Sequence, residues 1–131
     1  GDGAFSLDAR SLSNETLSSF YDEYRREAQR FGEAYGVEFR FDPVGRLVAQ
    51  KSSSELIGRL HRAADELAVP VIEEPSGAGH DAQTFGLEGI PFAMLFVSNQ
   101  NGSHSPDEAM RMEDFLAGAA ILTRAAIDFD R

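Results

Sequence analysis

Cysteine is absent from the 131 residues. That excludes a disulfide scaffold and any thiolate metal site, and leaves the redox compartment open. Lysine is almost absent: Lys51 is the only one, and the glycine-rich stretch 77–79 has none of the lysine that phosphate binding would want. Positive charge is scarce altogether, with 12 basic against 22 acidic residues and a formal net charge of −10. Nucleic-acid binding rests on a basic patch that neutralises phosphates, and none is visible, so that partner class is set aside. No apolar run approaches the roughly 20 residues that cross a bilayer, so no membrane partner is expected. No secretory leader is visible either, which leaves the cytoplasm as the default location. The chain has no initiating methionine; it opens on Gly1-Asp2-Gly3 and runs at once into strand-like residues. The expectation is a piece of a longer polypeptide.

With 42% hydrophobic residues there is enough apolar material for a core of ordinary domain size. Phe5-Ser6-Leu7-Asp8-Ala9-Arg10 alternates apolar and polar residues, the period of a half-buried strand. Asp8 and Arg10 then share a face, as a solvated ion pair or as a clamp whose guanidinium fork matches a carboxylate. Ser13 or Asn14 caps a helix that runs to Gly36, with Leu17, Phe20, Tyr21, Tyr24, Ala28, Phe31 and Tyr35 as its core stripe. Residues 37–41 and 46–50 read as two further strands about the turn Asp42-Pro43-Val44-Gly45. The first fifty residues are thus an α+β layer, and Lys51-Ser52-Ser53-Ser54 marks a boundary.

Ser53 or Ser54 caps a second helix, with Leu56, Ile57, Leu60, Ala64 and Leu67 inward and Pro70 as its stop. His61 lies at the edge of that stripe and is assigned no function. Residues 69–72 and the apolar run 91–97 read as strands of a sheet between helices, the latter covered on both faces. Ser105-Pro106-Asp107-Glu108 reads as a capped helix start, followed by Met112, Phe115, Leu116, Ala119, Leu122, Ala126 and Phe129 as the buried face. Residues 53–131 are therefore an α/β arrangement, in which sites form at the carboxyl ends of strands.

Two small-residue loops carry histidines at such positions. His80 follows Gly77-Ala78-Gly79, where backbone amides can approach a ligand, and precedes Asp81, an orienting carboxylate. His104 follows Gly102-Ser103, and a neutral imidazole there is a potential metal ligand, although one histidine makes no metal centre.

Ser76-Gly77-Ala78-Gly79-His80-Asp81-Ala82, then Phe96-Val97, then Asn101 to Glu108 resemble the carboxyl-terminal part of the N-carbamoyl-L-amino-acid hydrolases. Their kin are the β-ureidopropionases and allantoate amidohydrolases, in the two-metal aminoacylase and carboxypeptidase superfamily. Phe5 to Arg10 resembles the strand that carries this family's substrate-binding arginine. The resemblance covers the whole chain but only about the last third of a family member. It implies that residues 1–50 are the later part of a lid and dimerisation domain, and that 51–131 close the metal-binding catalytic domain. It further implies His104 as a metal ligand, Arg10 as the grip on the substrate carboxylate, and Gly79 and His80 as substrate contacts. Asp81, Ser103 and Ser105 would support them.

By the same resemblance two divalent ions (zinc, manganese, cobalt or nickel) polarise the carbonyl and activate a water, and a glutamate shuttles the proton. That glutamate and the other ligands would lie upstream, so no catalytic residue falls within this chain. By itself it is expected to be inactive and to hold no metal, since one ligand does not hold two ions. The implied substrate is a small carbamoyl or ureido amino acid, and the implied assembly a homodimer through residues 1–50. The rival readings are an aminoacylase or metallopeptidase of the same superfamily, and a non-catalytic dimerisation or ligand-binding module.

Overall fold

The computed structural model describes residues 1–43, 45 and 48–129, and its regular secondary structure is helical. The chain forms two compact units: residues 1–50 with 75–80, and residues 51–74 with 81–131.

In the first unit, α1 spans Asn14–Tyr35. Ser13 is its N-cap, and its hydroxyl accepts from the Thr16 amide at 3.1 Å. Gly36 ends it in the left-handed region (φ 66°), with its own N–H on the Gly32 carbonyl. The sheltered side is Leu17, Tyr21, Tyr24, Ala28 and Gly32, at steps of three and four. Phe20, Phe31 and Tyr35, expected in the core, are exposed instead; they lie off that line on the helix surface. Tyr24 meets Phe41 edge-on at 5.8 Å, and the Arg25 guanidinium lies 4.9 Å from the same ring. The chain thus folds back along α1 after Gly36. At Gly32 the approach is so close that a Cβ would stand 2.5 Å from the Val37 carbonyl oxygen. Asn14, the first residue of α1, exchanges two side-chain hydrogen bonds with the backbone of Ala49 (2.8 and 3.1 Å).

In the second unit, α2 (Ser54–Glu66), the short α3 (Ala82–Leu87) and α4 (Met112–Ile127) follow in order. Ser53 caps α2. Its end is a Schellman turn: Val69 N–H bonds Ala64 O at 2.9 Å and Ala68 N–H bonds Asp65 O at 3.1 Å, with Ala68 at φ 53°. Helices α2 and α4 pack through small residues. Ala63, Ala64 and Ile121 are buried, and Leu60, Val69, Val71, Leu95 and Ala125 surround them. Arg124 bonds Glu66 at 2.6 Å, and Arg59 donates to the Asp128 and Phe129 carbonyls just beyond α4.

Three expectations are corrected. No strand forms among the described residues; one antiparallel bridge, Gln100 to Ala109, is the only ladder contact there. Residues 5–10, 37–41, 69–72 and 91–97 have the side-chain alternation or apolarity of strands but no paired edge, and a strand exists only as part of a ladder. Of the expected strand 46–50 and turn 42–45, Arg46, Leu47 and Val44 lie outside the described residues. Among the described residues, helices joined by irregular chain thus stand where the α/β and α+β classes place strands and a site at strand ends. Next, the last helix begins at Met112 rather than Ser105. Finally, it turns mainly its other face inward: Ala117, Gly118, Ile121 and Ala125 are sheltered, together with the expected Ala119, while Met112, Phe115, Leu116, Leu122, Ala126 and Phe129 are exposed, as is Leu67 just beyond α2. Small residues win the interface because they let the two helices approach closely.

Candidate functional site

The first unit holds one group of the expected site residues. Arg10 clasps the Asp8 carboxylate with Nε (3.1 and 3.2 Å) and Nη2 (2.7 Å). Its remaining nitrogen, Nη1, donates to the Gly77 carbonyl at 3.0 Å. The ion-pair reading of Asp8 and Arg10 is thus realised, and the same arginine also anchors the Ser76–His80 loop. Arg10 holds the Asp8 carboxyl below the usual carboxylate range, first by hydrogen bonding and then by its charge.

Within that loop the Ser76 hydroxyl is the hub. It lies 2.5 Å from His80 Nε2, accepts from the Ala78 N–H at 3.2 Å, and stands 3.3 Å from the Ala78 carbonyl. Gly79 is exposed and His80 half-buried. Sequence reasoning passed over Ser76 as a site residue; the signal was a hydroxyl four positions before the histidine.

His104 belongs to the second unit, at the tip of a loop closed at its base by the Gln100–Ala109 bridge (2.7 and 3.2 Å). Asn101, Gly102 and His104 all have positive φ (66°, 79° and 64°). Glu108 latches the tip. Its carboxylate accepts from the His104 backbone N–H at 2.9 Å and from Asn99 Nδ2 at 2.6 Å. These contacts, the His104 amide foremost and the Asn99 amide next, pull the Glu108 carboxyl below its usual range. Glu108 is therefore a loop clasp and not half of a capping box, which is why no helix starts at Ser105. Ser105 Oγ accepts from the Asp107 N–H at 3.1 Å, and Asn101 Nδ2 donates to the Asp107 carbonyl at 2.9 Å. Asp81 stands at the N-terminus of α3 without a side-chain capping bond. His61, in the same unit, pairs with Glu73 at 2.8 Å.

A metal centre needs several donors converging on one point. Among the described residues no group of three or more histidine, aspartate or glutamate side chains does so. His104 is exposed, and Glu108 beside it is committed to the loop backbone. These residues alone do not fit a metal ion. No helix among the described residues is long and apolar enough to cross a membrane.

The sequence profile of peptidase family M20/M25/M40 matches residues 11–128. The chain belongs to this family. Similar proteins include the N-carbamoyl-L-amino-acid amidohydrolase of Pseudomonas sp. (strain NS671), 32% identical over 94% of this chain and 30% of the relative. The N-carbamoyl-L-amino acid amidohydrolase of Geobacillus stearothermophilus is 29% identical over 90% of the chain and 29% of its own length. The allantoate amidohydrolase of Bacillus subtilis (strain 168) is 30% identical over 91% of the chain and 29% of its own length. The chain thus spans about 30% of the length of these relatives. No solved structure matches it.

Proposed function

We propose that this M20 chain is the substrate-gripping and metal-ligating part of an amidohydrolase that cleaves the carbamoyl C–N bond of N-carbamoyl-L-amino acids or of related ureido acids such as allantoate. The observation that carries the reading is the Arg10 to Gly77 hydrogen bond at 3.0 Å. It sets a guanidinium fork beside a glycine-rich loop, and that fork already holds one carboxylate, Asp8, through two nitrogens. The names of the relatives supply the substrate class.

In this reading Arg10 grips the substrate carboxylate, Gly79 offers its backbone, and His80 bonds the ureido group. His104 lends its imidazole to a divalent ion whose further donors, like the general base, come from outside these residues; zinc, manganese, cobalt and nickel all suit such ligands. Ser103 and Ser105 shape the loop that presents it, and Asp81 supports His80. Residues 1–50 serve as part of a lid and dimerisation domain, and 51–131 as the closing segment of the catalytic domain, in a homodimer. The isolated 131 residues hydrolyse nothing.

A second reading is a non-catalytic ligand-binding or dimerisation module. An aminoacylase or peptidase is the rival within the family. A chimera separates them: this chain replaces the matching segment of the Pseudomonas relative, and turnover is measured on carbamoyl amino acids, allantoate, acyl amino acids and dipeptides. Turnover of a carbamoyl or ureido acid, abolished by Arg10→Ala or His104→Ala, is the expected result. Preference for dipeptides, or indifference to both substitutions, defeats the reading.

A further inference from the structure

We infer that Ser76 is a positioning residue that fixes the tautomer and ring orientation of His80, an inference that deepens the reading of His80 as a substrate contact. A serine hydroxyl carries one hydrogen and two lone pairs. The Ala78 N–H uses one lone pair from 3.2 Å. Two arrangements fill the rest: the hydroxyl gives its hydrogen to His80 Nε2 at 2.5 Å, or it accepts from a protonated Nε2 and turns its hydrogen to the Ala78 carbonyl at 3.3 Å, beyond the range of a good O–H···O bond. The nearer acceptor takes the hydrogen, because O–H bonds reach their best energy well inside 3 Å.

With Nε2 accepting, the neutral ring carries its proton on Nδ1. Free imidazole side chains favour the opposite tautomer, so the loop reverses the default. It does so with a part that is itself fixed. The hydroxyl is tied to the Ala78 backbone, and Gly77, between Ser76 and Ala78, is tied to Arg10. Charge grip and imidazole are thus set by one short loop. Ser76 need not touch the substrate; it decides which ring nitrogen offers a donor and which an acceptor.

The test is long-range proton–nitrogen NMR of the His80 ring in the ¹⁵N-labelled chain, at a pH well above the ordinary imidazole value of about 6.5. Wild type is expected to show a protonated Nδ1 and a bare Nε2. Ser76→Ala is expected to shift the ring to the Nε2-protonated form, and Ser76→Thr, which keeps the hydroxyl, to preserve the wild-type pattern. An Nε2-protonated ring in the wild type overturns the inference without recourse to any variant. So does an unchanged tautomer in Ser76→Ala. In the chimera, Ser76→Ala is expected to lower kcat/KM about tenfold with recovery in Ser76→Thr, since small errors in the placement of a contact group are costly. A changed tautomer with full turnover overturns the positioning role. Failure of the functional reading looks different: the unmutated chimera would turn over no carbamoyl or ureido acid, whatever the tautomer of His80.

Discussion

Arg10 and Gly77 stand 67 positions apart in sequence, yet Nη1 of the arginine donates to the glycine carbonyl at 3.0 Å. The opposite edge of the same guanidinium holds Asp8. One side chain therefore anchors a loop and presents an anion-binding fork beside it. Lysine keeps the charge but has neither the plane nor the fork. Arg10→Lys in the chimera is expected to raise KM by about tenfold while kcat changes less, the pattern of lost ground-state binding. Steady-state kinetics on a carbamoyl amino acid checks it, and an equal loss in kcat and kcat/KM would contradict it.

Asp8 occupies the Arg10 fork, which in the proposed function takes the substrate carboxylate. Both side chains are exposed (67% and 64%), so the pair is screened and its hold is weak. Asp8→Asn removes the internal competitor, and the expected result is a KM lower by about threefold in the chimera. The sign with pH follows from the depressed carboxyl. The pair is intact above the ordinary aspartate value of about 3.9 and is lost as pH falls through the lower folded value. An NMR titration of the Asp8 carboxyl carbon is expected to place its midpoint below that of an unpaired aspartate.

The signals that predict correctly are local ones. Ser13 and Ser53 cap their helices, and Gly36 stops α1, because each acts on amides or carbonyls within four residues of itself. Residues 91–97 mislead because a strand depends on a partner edge that its own sequence does not contain. The segment Ser105–Glu108 misleads differently. Its spacing fits a capping box, but Glu108 finds the His104 amide and Asn99 first. On α4 the bulkiest apolar residues mark the wrong face: Ile121 and Ala125 pack against α2 and Gly118 against Val97, while Phe115 and Leu116 are exposed. For the site, Arg10 and His80 are visible as residue types, whereas the hydroxyl of Ser76 gains meaning only once the loop is closed.

Glu108 as the clasp of the His104 loop gives a pH prediction. Its carboxyl is held below the usual range, so the clasp is fully engaged above the ordinary glutamate value of about 4.3 and opens as pH falls through the lower folded value. The amide signals of His104 and the Asn99 side chain are expected to shift together over that acid range. Glu108→Gln, which has one acceptor oxygen instead of two, is expected to produce at neutral pH the shifts that wild type shows only in acid.

Ala68 occupies the left-handed position of the Schellman turn that ends α2 (φ 53°). A Cβ is unfavourable there and glycine is the usual occupant. Ala68→Gly is expected to stabilise the chain by roughly 1 kcal/mol, an increase of about 4 °C in Tm. Thermal unfolding followed by circular dichroism decides it; a lower Tm would mean that the Ala68 methyl makes contacts worth more than the relief of strain.

At Gly118 α4 lies directly against the 91–97 segment: a Cβ there would stand 2.7 Å from Val97 Cγ2. Valine is stiff about χ1 and cannot swing its methyl aside without leaving its rotamer. Gly118→Ala therefore sets a gain in helix propensity of up to about 1 kcal/mol against an overpacking cost of about 1–3 kcal/mol. The net expectation is destabilisation, read as a lower denaturation midpoint in urea. Val97→Ala removes the obstructing methyl, so the double variant is expected to be more stable than the two single effects summed. Additive effects would mean that α4 shifts away from the segment without resistance, and that the close approach at Gly118 does not fix its position.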